Sequence, residues 1–70
     1  MYAVNSKAIL EARLESGLNV SDVTKKTGIA RSTIDRLENR EVLKPRASTL
    51  HKLAMLYNKS ISNFLERGES

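Results

Sequence analysis

Seventy residues, 40% of them hydrophobic and 29% charged, are expected to make a single domain over 1–70 with a core of about 6–67. A chain that short buries about a dozen side chains and holds little stability in reserve. With no cysteine and a lone histidine, His51, neither a disulfide framework nor a clustered metal site is expected, and no cofactor.

The N-terminal Met1-Tyr2-Ala3-Val4-Asn5 lacks a signal-peptide pattern, and no run approaches the ~20 apolar residues of a membrane span. The expectation is a cytoplasmic protein with no membrane partner. Paired carboxylates, a Cys/His pair and a glycine-rich phosphate loop are all missing from the sequence, and Ser32 and Thr33 have no nearby histidine base. An enzyme is therefore not expected.

The formal charge is +4, and its placement is more informative than its size. Between Lys25 and Arg46 stand seven basic residues (Lys25, Lys26, Arg31, Arg36, Arg40, Lys44, Arg46) against three acidic ones (Asp35, Glu38, Glu41). Elsewhere five basic residues meet five acidic ones, so the whole excess lies in one stretch. A polyanion suits such a one-sided field, because neutralising phosphates releases counterions. The plainer reading is a basic surface that keeps a small protein in solution.

In chain order, Asn5-Ser6 is a cap for a first helix over 7–16, with Ile9, Leu10, Arg13 and Leu14 along connected faces and Gly17 at its end. Leu18 anchors the short connection to a second helix over 20–27. There Asn19 is the N-cap and Asp22, three residues on, places a carboxylate at the positive end of the helix. Lys25 and Lys26 form a basic last turn, and Gly28 takes the left-handed conformation that stops the helix.

A third helix over 31–39 follows a turn at Thr27, Gly28, Ile29 and Ala30. Val23, Thr24, Thr27, Ile29, Ile34 and Leu37 can face inward, leaving Lys25, Lys26, Arg31, Ser32, Thr33, Asp35 and Arg36 outside. Two short helices, a tight turn and a basic outer face make a helix-turn-helix shaped for a DNA groove.

Pro45 makes 41–47 a loop carrying Lys44 and Arg46. Ser48 caps a fourth helix over 49–57, in which Leu50, Leu53, Ala54 and Tyr57 repeat at three and four and Asn58 is the left-handed stop. Ser60 caps a fifth helix over 61–67, with Ile61, Phe64 and Leu65 inward and Gly68 closing it ahead of a frayed tail to Ser70. No strand pattern is apparent. The reading is an all-α bundle of about five short helices.

GLNVSDVTKKTGIARSTIDRLENR followed by KPRASTLHKLAMLYNKSISNFL resembles the phage-repressor-like, Xre/Cro-type helix-turn-helix family of DNA-binding regulators, over about Ile9 to Leu65. Its marks are Gly28, then Ser32, Thr33, Ile34, Leu37 and Glu38 across the third helix, and Pro45 ahead of Leu53-Ala54. The resemblance implies the lambda-repressor-like fold. It places Arg31, Ser32, Thr33 and Arg36 at base edges or flanking phosphates, with Arg31 the first choice for reading a guanine.

By the same resemblance Asn19, Asn39, Lys44 and Arg46 meet the DNA backbone, Arg46 near a narrow minor groove. Arg13 and Glu38 match an ion pair between the first and third helices. Val20 replaces a phosphate-binding glutamine of many relatives, which leaves Ser21 or Lys25 to compensate. Thr24 replaces a small alanine, with a hydroxyl able to bond a carbonyl one turn back. Ala30 replaces a polar cap, and Arg40 a glycine, so that Arg40 is strained or the helix ends differently.

The function implied is a sequence-specific double-stranded-DNA-binding transcriptional regulator, a repressor acting as a homodimer on a palindromic operator. The alternative is a protein-interaction module of the same fold, such as an antitoxin or partner-binding regulator with a protein partner. Phe64, Tyr57, Val42 and Leu43 are candidates for the dimer surface.

Overall fold

The computed structural model describes residues 2–39 and 45–67. Four helices carry it: α1 (Ser6–Glu15), α2 (Val20–Thr27), α3 (Arg31–Glu38) and α4 (Ala47–Tyr57). A 3-10 turn at Ile61–Phe64 follows. Two short strands, β1 (Tyr2–Val4) and β2 (Leu65–Arg67), pair antiparallel with Val4 opposite Leu65 and Tyr2 opposite Arg67. The all-α expectation holds in outline.

The expected fifth helix over 61–67 does not form. Its N-terminus lacks a cap, because the Ser60 hydroxyl is hydrogen-bonded to that of Ser62 at 2.8 Å rather than to the first-turn amides. The chain tightens into a single 3-10 turn, and Leu65 then leaves in an extended conformation that gives β1 a ladder partner. Asn5 N–H donates to Phe64 C=O at 2.7 Å, which ties the two ends together.

The helix ends follow local chemistry. Asn5 accepts from Ala8 N–H at 3.1 Å and caps α1 one residue earlier than expected; Gly17 turns the chain at φ +70°. Asn19 and Asp22 exchange both bonds of a capping box at the start of α2, at 2.8 and 3.1 Å. Gly28 at φ +76° and Asn58 at φ +57° are left-handed stops, as their residue types require. Ser48 does not cap α4: that helix begins at Ala47 with Arg46 at the N-cap and no side-chain cap bond. α3 ends at Glu38, and Asn39 keeps a negative φ. Arg40, Val42, Leu43, Gly68 and Ser70 lie outside the described residues.

The core is built where the four helices meet: Ile9 and Ala12 of α1, Val23 and Ile29 around α2, Ile34 and Leu37 of α3, Leu50, Leu53, Ala54 and Tyr57 of α4, and Phe64. Tyr57 and Phe64 meet edge to face at 6.2 Å, and Val4 extends the same core from β1. Leu18, Ile61 and Leu65 pack against its margin.

On α1, Ile9 and Ala12 take buried positions and Leu14 is 61% exposed. Two expectations need correction. Tyr57 and Phe64 are 4% and 0% exposed, so neither offers a surface for a dimer. The Thr24 hydroxyl is buried without a hydrogen bond among the described residues; Thr27 is the one that bonds back, donating to Val23 C=O at 2.7 Å and accepting from Ile29 N–H at 3.1 Å.

Candidate nucleic-acid interface

α3 is held from behind and left bare in front. Ile34 and Leu37 are fully buried, and the helix packs on both α1 and α2. At about 100° per residue, Arg31, Asp35, Asn39, Ser32 and Arg36 fall within an arc of about 140°, and all five are exposed. Thr33 is half-buried at the edge of that arc. Neither Arg31 nor Arg36 is in an ion pair with another described residue.

The brace behind this face is ionic. Arg13 Nε donates to Glu38 Oε2 at 2.7 Å and Nη2 to Oε1 at 3.0 Å, a two-pronged bond between α1 and the last turn of α3. A third donor, Nη1, reaches Leu18 C=O at 3.0 Å and fixes the α1–α2 connection. Side-chain exposures are 13% for Arg13 and 8% for Glu38. The hydrogen bond that Arg13 donates to Glu38 outweighs burial and raises the Arg13 pKa, so the guanidinium keeps its charge. Tyr57 lies in the same electrostatic neighbourhood: burial first, and Glu38 second, push its phenol up to about 12, against a lowering by Arg13.

The turn keeps the start of α3 open. Ala30 holds the extended N-cap conformation, φ −60° and ψ 142°, without any side-chain oxygen to occupy the first amides. At α4 the N-cap is Arg46, likewise without a side-chain cap bond. Both helix starts face one groove of about 450 Å³, lined by Ala30 and Thr33 on one wall and Pro45, Arg46, Ser48, Thr49 and Lys52 on the other. Ser48, Thr49 and Lys52 are absent from the sequence-derived site. The signal was there in part, since Pro45, Ser48, Thr49 and Lys52 repeat at three, four and seven along one face.

Asn19 and Ser21 are exposed at the start of α2; the Asn19 side-chain oxygen is spent on the cap, leaving its amide as a donor. Arg46 is exposed. Lys44 lies outside the described residues. The structure thus brings Arg31, Ser32, Arg36 and Asn39 together on one face and sets Thr33 and Arg46 at a groove beside it. No helix among the described residues is long and apolar enough to cross a membrane.

A braced short helix with a bare basic face, preceded by a tight glycine turn, defines a helix-turn-helix DNA-binding module. A family model described as "Helix-turn-helix" matches residues 9–64, and the chain belongs to this phage-repressor-like, Xre/Cro-type family of DNA-binding regulators. No curated protein and no solved structure matches the chain.

Proposed function

We propose that the chain is a sequence-specific transcriptional repressor, acting as a homodimer on a palindromic operator with one α3 in each of two major grooves about 34 Å apart. The observation that carries this reading is the exposed arc of Arg31, Ser32 and Arg36, with no ion pair to another described residue, on a helix whose opposite side is buried through Ile34 and Leu37. Arg31 enters first, at the open end of α3, and makes a two-pronged contact with a guanine. Ser32 and Thr33 bond a base or a phosphate. Arg36, on the other wall of the groove, holds a phosphate.

Asn19 and Ser21 at the start of α2, Asn39 at the end of α3, and Lys44 and Arg46 in the following segment grip the backbone and set the register. Arg13 and Glu38 touch no DNA in this scheme; they hold α3 at the angle the groove requires. Occupancy of a promoter then excludes transcription, which is a cytoplasmic task that needs no cofactor.

Selection of bound sequences from a random duplex pool tests the reading. The expected product is a palindrome, and Arg31→Ala then loses about 1–3 kcal/mol of discrimination at one symmetric pair of positions. A pool that yields no enriched sequence, or an Arg31→Ala variant weakened equally on every sequence, overturns the base-reading assignment.

A further inference from the structure

Among the described residues two large apolar side chains stand out in solvent, Leu14 at 61% and Met55 at 70% exposure. They differ in the charges around them. Met55 and Leu56 line a shallow hollow of about 430 Å³ together with Thr27, Lys26 and Lys52. Neither lysine is in an ion pair with another described residue, and the sequence has no acidic residue from Val23 to Ile34 or from Ala47 to Asn63. Among the described residues that line the hollow, the charged ones are both lysines.

Leu14 sits instead on the outer face of α1, with Glu11 one turn before it and Glu15 next in sequence on the same side, both exposed; exposed Lys7 lies two turns away on the same face. Arg13, the cation next to it in sequence, is turned inward onto Glu38. Lys59 reaches Glu15 at 3.1 Å and offsets part of that charge; Glu11 has no ion-pair partner among the described residues. An apolar knob flanked on one side by carboxylates and an apolar hollow lined by two ammonium groups therefore lie on the same molecule.

We propose that the hollow receives a second copy of this chain: Leu14 of one copy seats on Met55 and Leu56 of another, with Glu11 and Glu15 facing Lys26 and Lys52. Thioether and aliphatic surfaces tolerate imperfect fit, and methionine is frequent where surfaces associate. The contact is heterologous, knob to hollow, so it propagates into a ring or a chain of copies rather than pairing one patch with itself. One side chain and two charge pairs make it weak in free solution and sensitive to salt. On a duplex that holds copies side by side, the raised effective concentration would turn it into coupling between neighbours. That extension rests on the DNA reading; the contact itself does not, and its test uses no DNA.

The two methionines of the chain are Met1 and Met55, so a carbon-13 label on methionine methyl groups gives a reporter inside the hollow. Raising the protein from about micromolar to millimolar is expected to shift the Met55 methyl resonance, and Leu14→Ser or added salt to abolish that shift. The double variants Glu11→Lys/Glu15→Lys and Lys26→Glu/Lys52→Glu, each alone, are expected to associate about tenfold more weakly than the parent. Mixed in equal amounts they should associate again, because each acidic hollow now meets a basic knob. A Met55 methyl that ignores concentration, a shift that survives Leu14→Ser, or a mixture no more associated than its components overturns the proposal.

Discussion

Tyr57 is an odd residue to bury in so small a core. Its ring packs edge to face on Phe64, but its hydroxyl has no hydrogen-bond partner among the described residues. Burial holds the phenol neutral, with a pKa of about 12 against an ordinary 10.0. Because the folded-state value is the higher one, the stabilisation is complete below pH 10 and is lost as pH climbs through about 12. Two units correspond to about 2–3 kcal/mol. Urea denaturation across that window should show a stability loss in the parent that Tyr57→Phe lacks, with the variant equal to or about 1 kcal/mol above the parent at neutral pH. Parallel pH profiles for the two proteins would contradict the burial argument. The Arg13–Glu38 pair obeys a different logic, since both partners are charged and nearly enclosed. Glu38→Ala strands a guanidinium that still bonds Leu18, and the expected cost is about 3 kcal/mol in the same denaturation experiment. Arg13→Lys keeps the charge but loses the fork and falls between the two. Equal stability of parent and Glu38→Ala would mean that the pair does not brace α3.

At the level of the elements, the open start of α3 is a stability deficit. Ala30 already has N-cap backbone angles, so Ala30→Ser should accept them unchanged and add about 0.5–1 kcal/mol, read as a higher denaturation midpoint at constant slope. A lower midpoint would show that the serine side chain is excluded from the cap position. The terminal ribbon admits a second test: Val4 is buried against the core from β1, and Val4→Ala should cost about 2 kcal/mol without altering duplex affinity, since β1 contributes nothing to the bare face of α3. These two elements also mark where sequence reasoning succeeds and fails. The capping box of Asn19 and Asp22, the glycine turn at Gly28 and the left-handed Asn58 depend on residues within a few positions of each other, and all were legible. The β1–β2 ribbon was not, because it joins the two ends of the chain and three-residue strands have no periodicity to read. The exposure of Leu14 was not legible either: helical spacing puts it beside Leu10, and only the approach of the neighbouring elements decides that Ala12 is covered and Leu14 is not. The exposure of Arg31, Ser32, Asp35 and Arg36 on α3 followed from spacing, although Thr33, expected beside them, is half-buried; the groove shared by Ala30, Thr33, Arg46 and Lys52 needed the packing of α4 against α2.

For the whole molecule, a net charge of +4 is modest, and by itself it predicts only weak, diffuse attraction to polyanions. Presented together to a duplex, Arg31, Arg36 and Arg46 turn part of that charge into a set of phosphate contacts. If each copy of a bound dimer neutralises about three phosphates, log affinity should fall linearly with log salt with a slope of about −5. A slope of that size could still come from total charge, so two variants with identical charge loss separate the explanations. Arg46→Gln removes a cation beside α3 and the shared groove; Lys7→Gln removes one from the balanced part of the chain, on exposed α1. On a selected duplex, Arg46→Gln should flatten the slope by about 2, one contact per copy, and weaken binding uniformly across sequences. Lys7→Gln should leave the slope where it was. Equal flattening by both would mean that the duplex responds to the summed field of the molecule, and that the cluster between Lys25 and Arg46 is no interface at all.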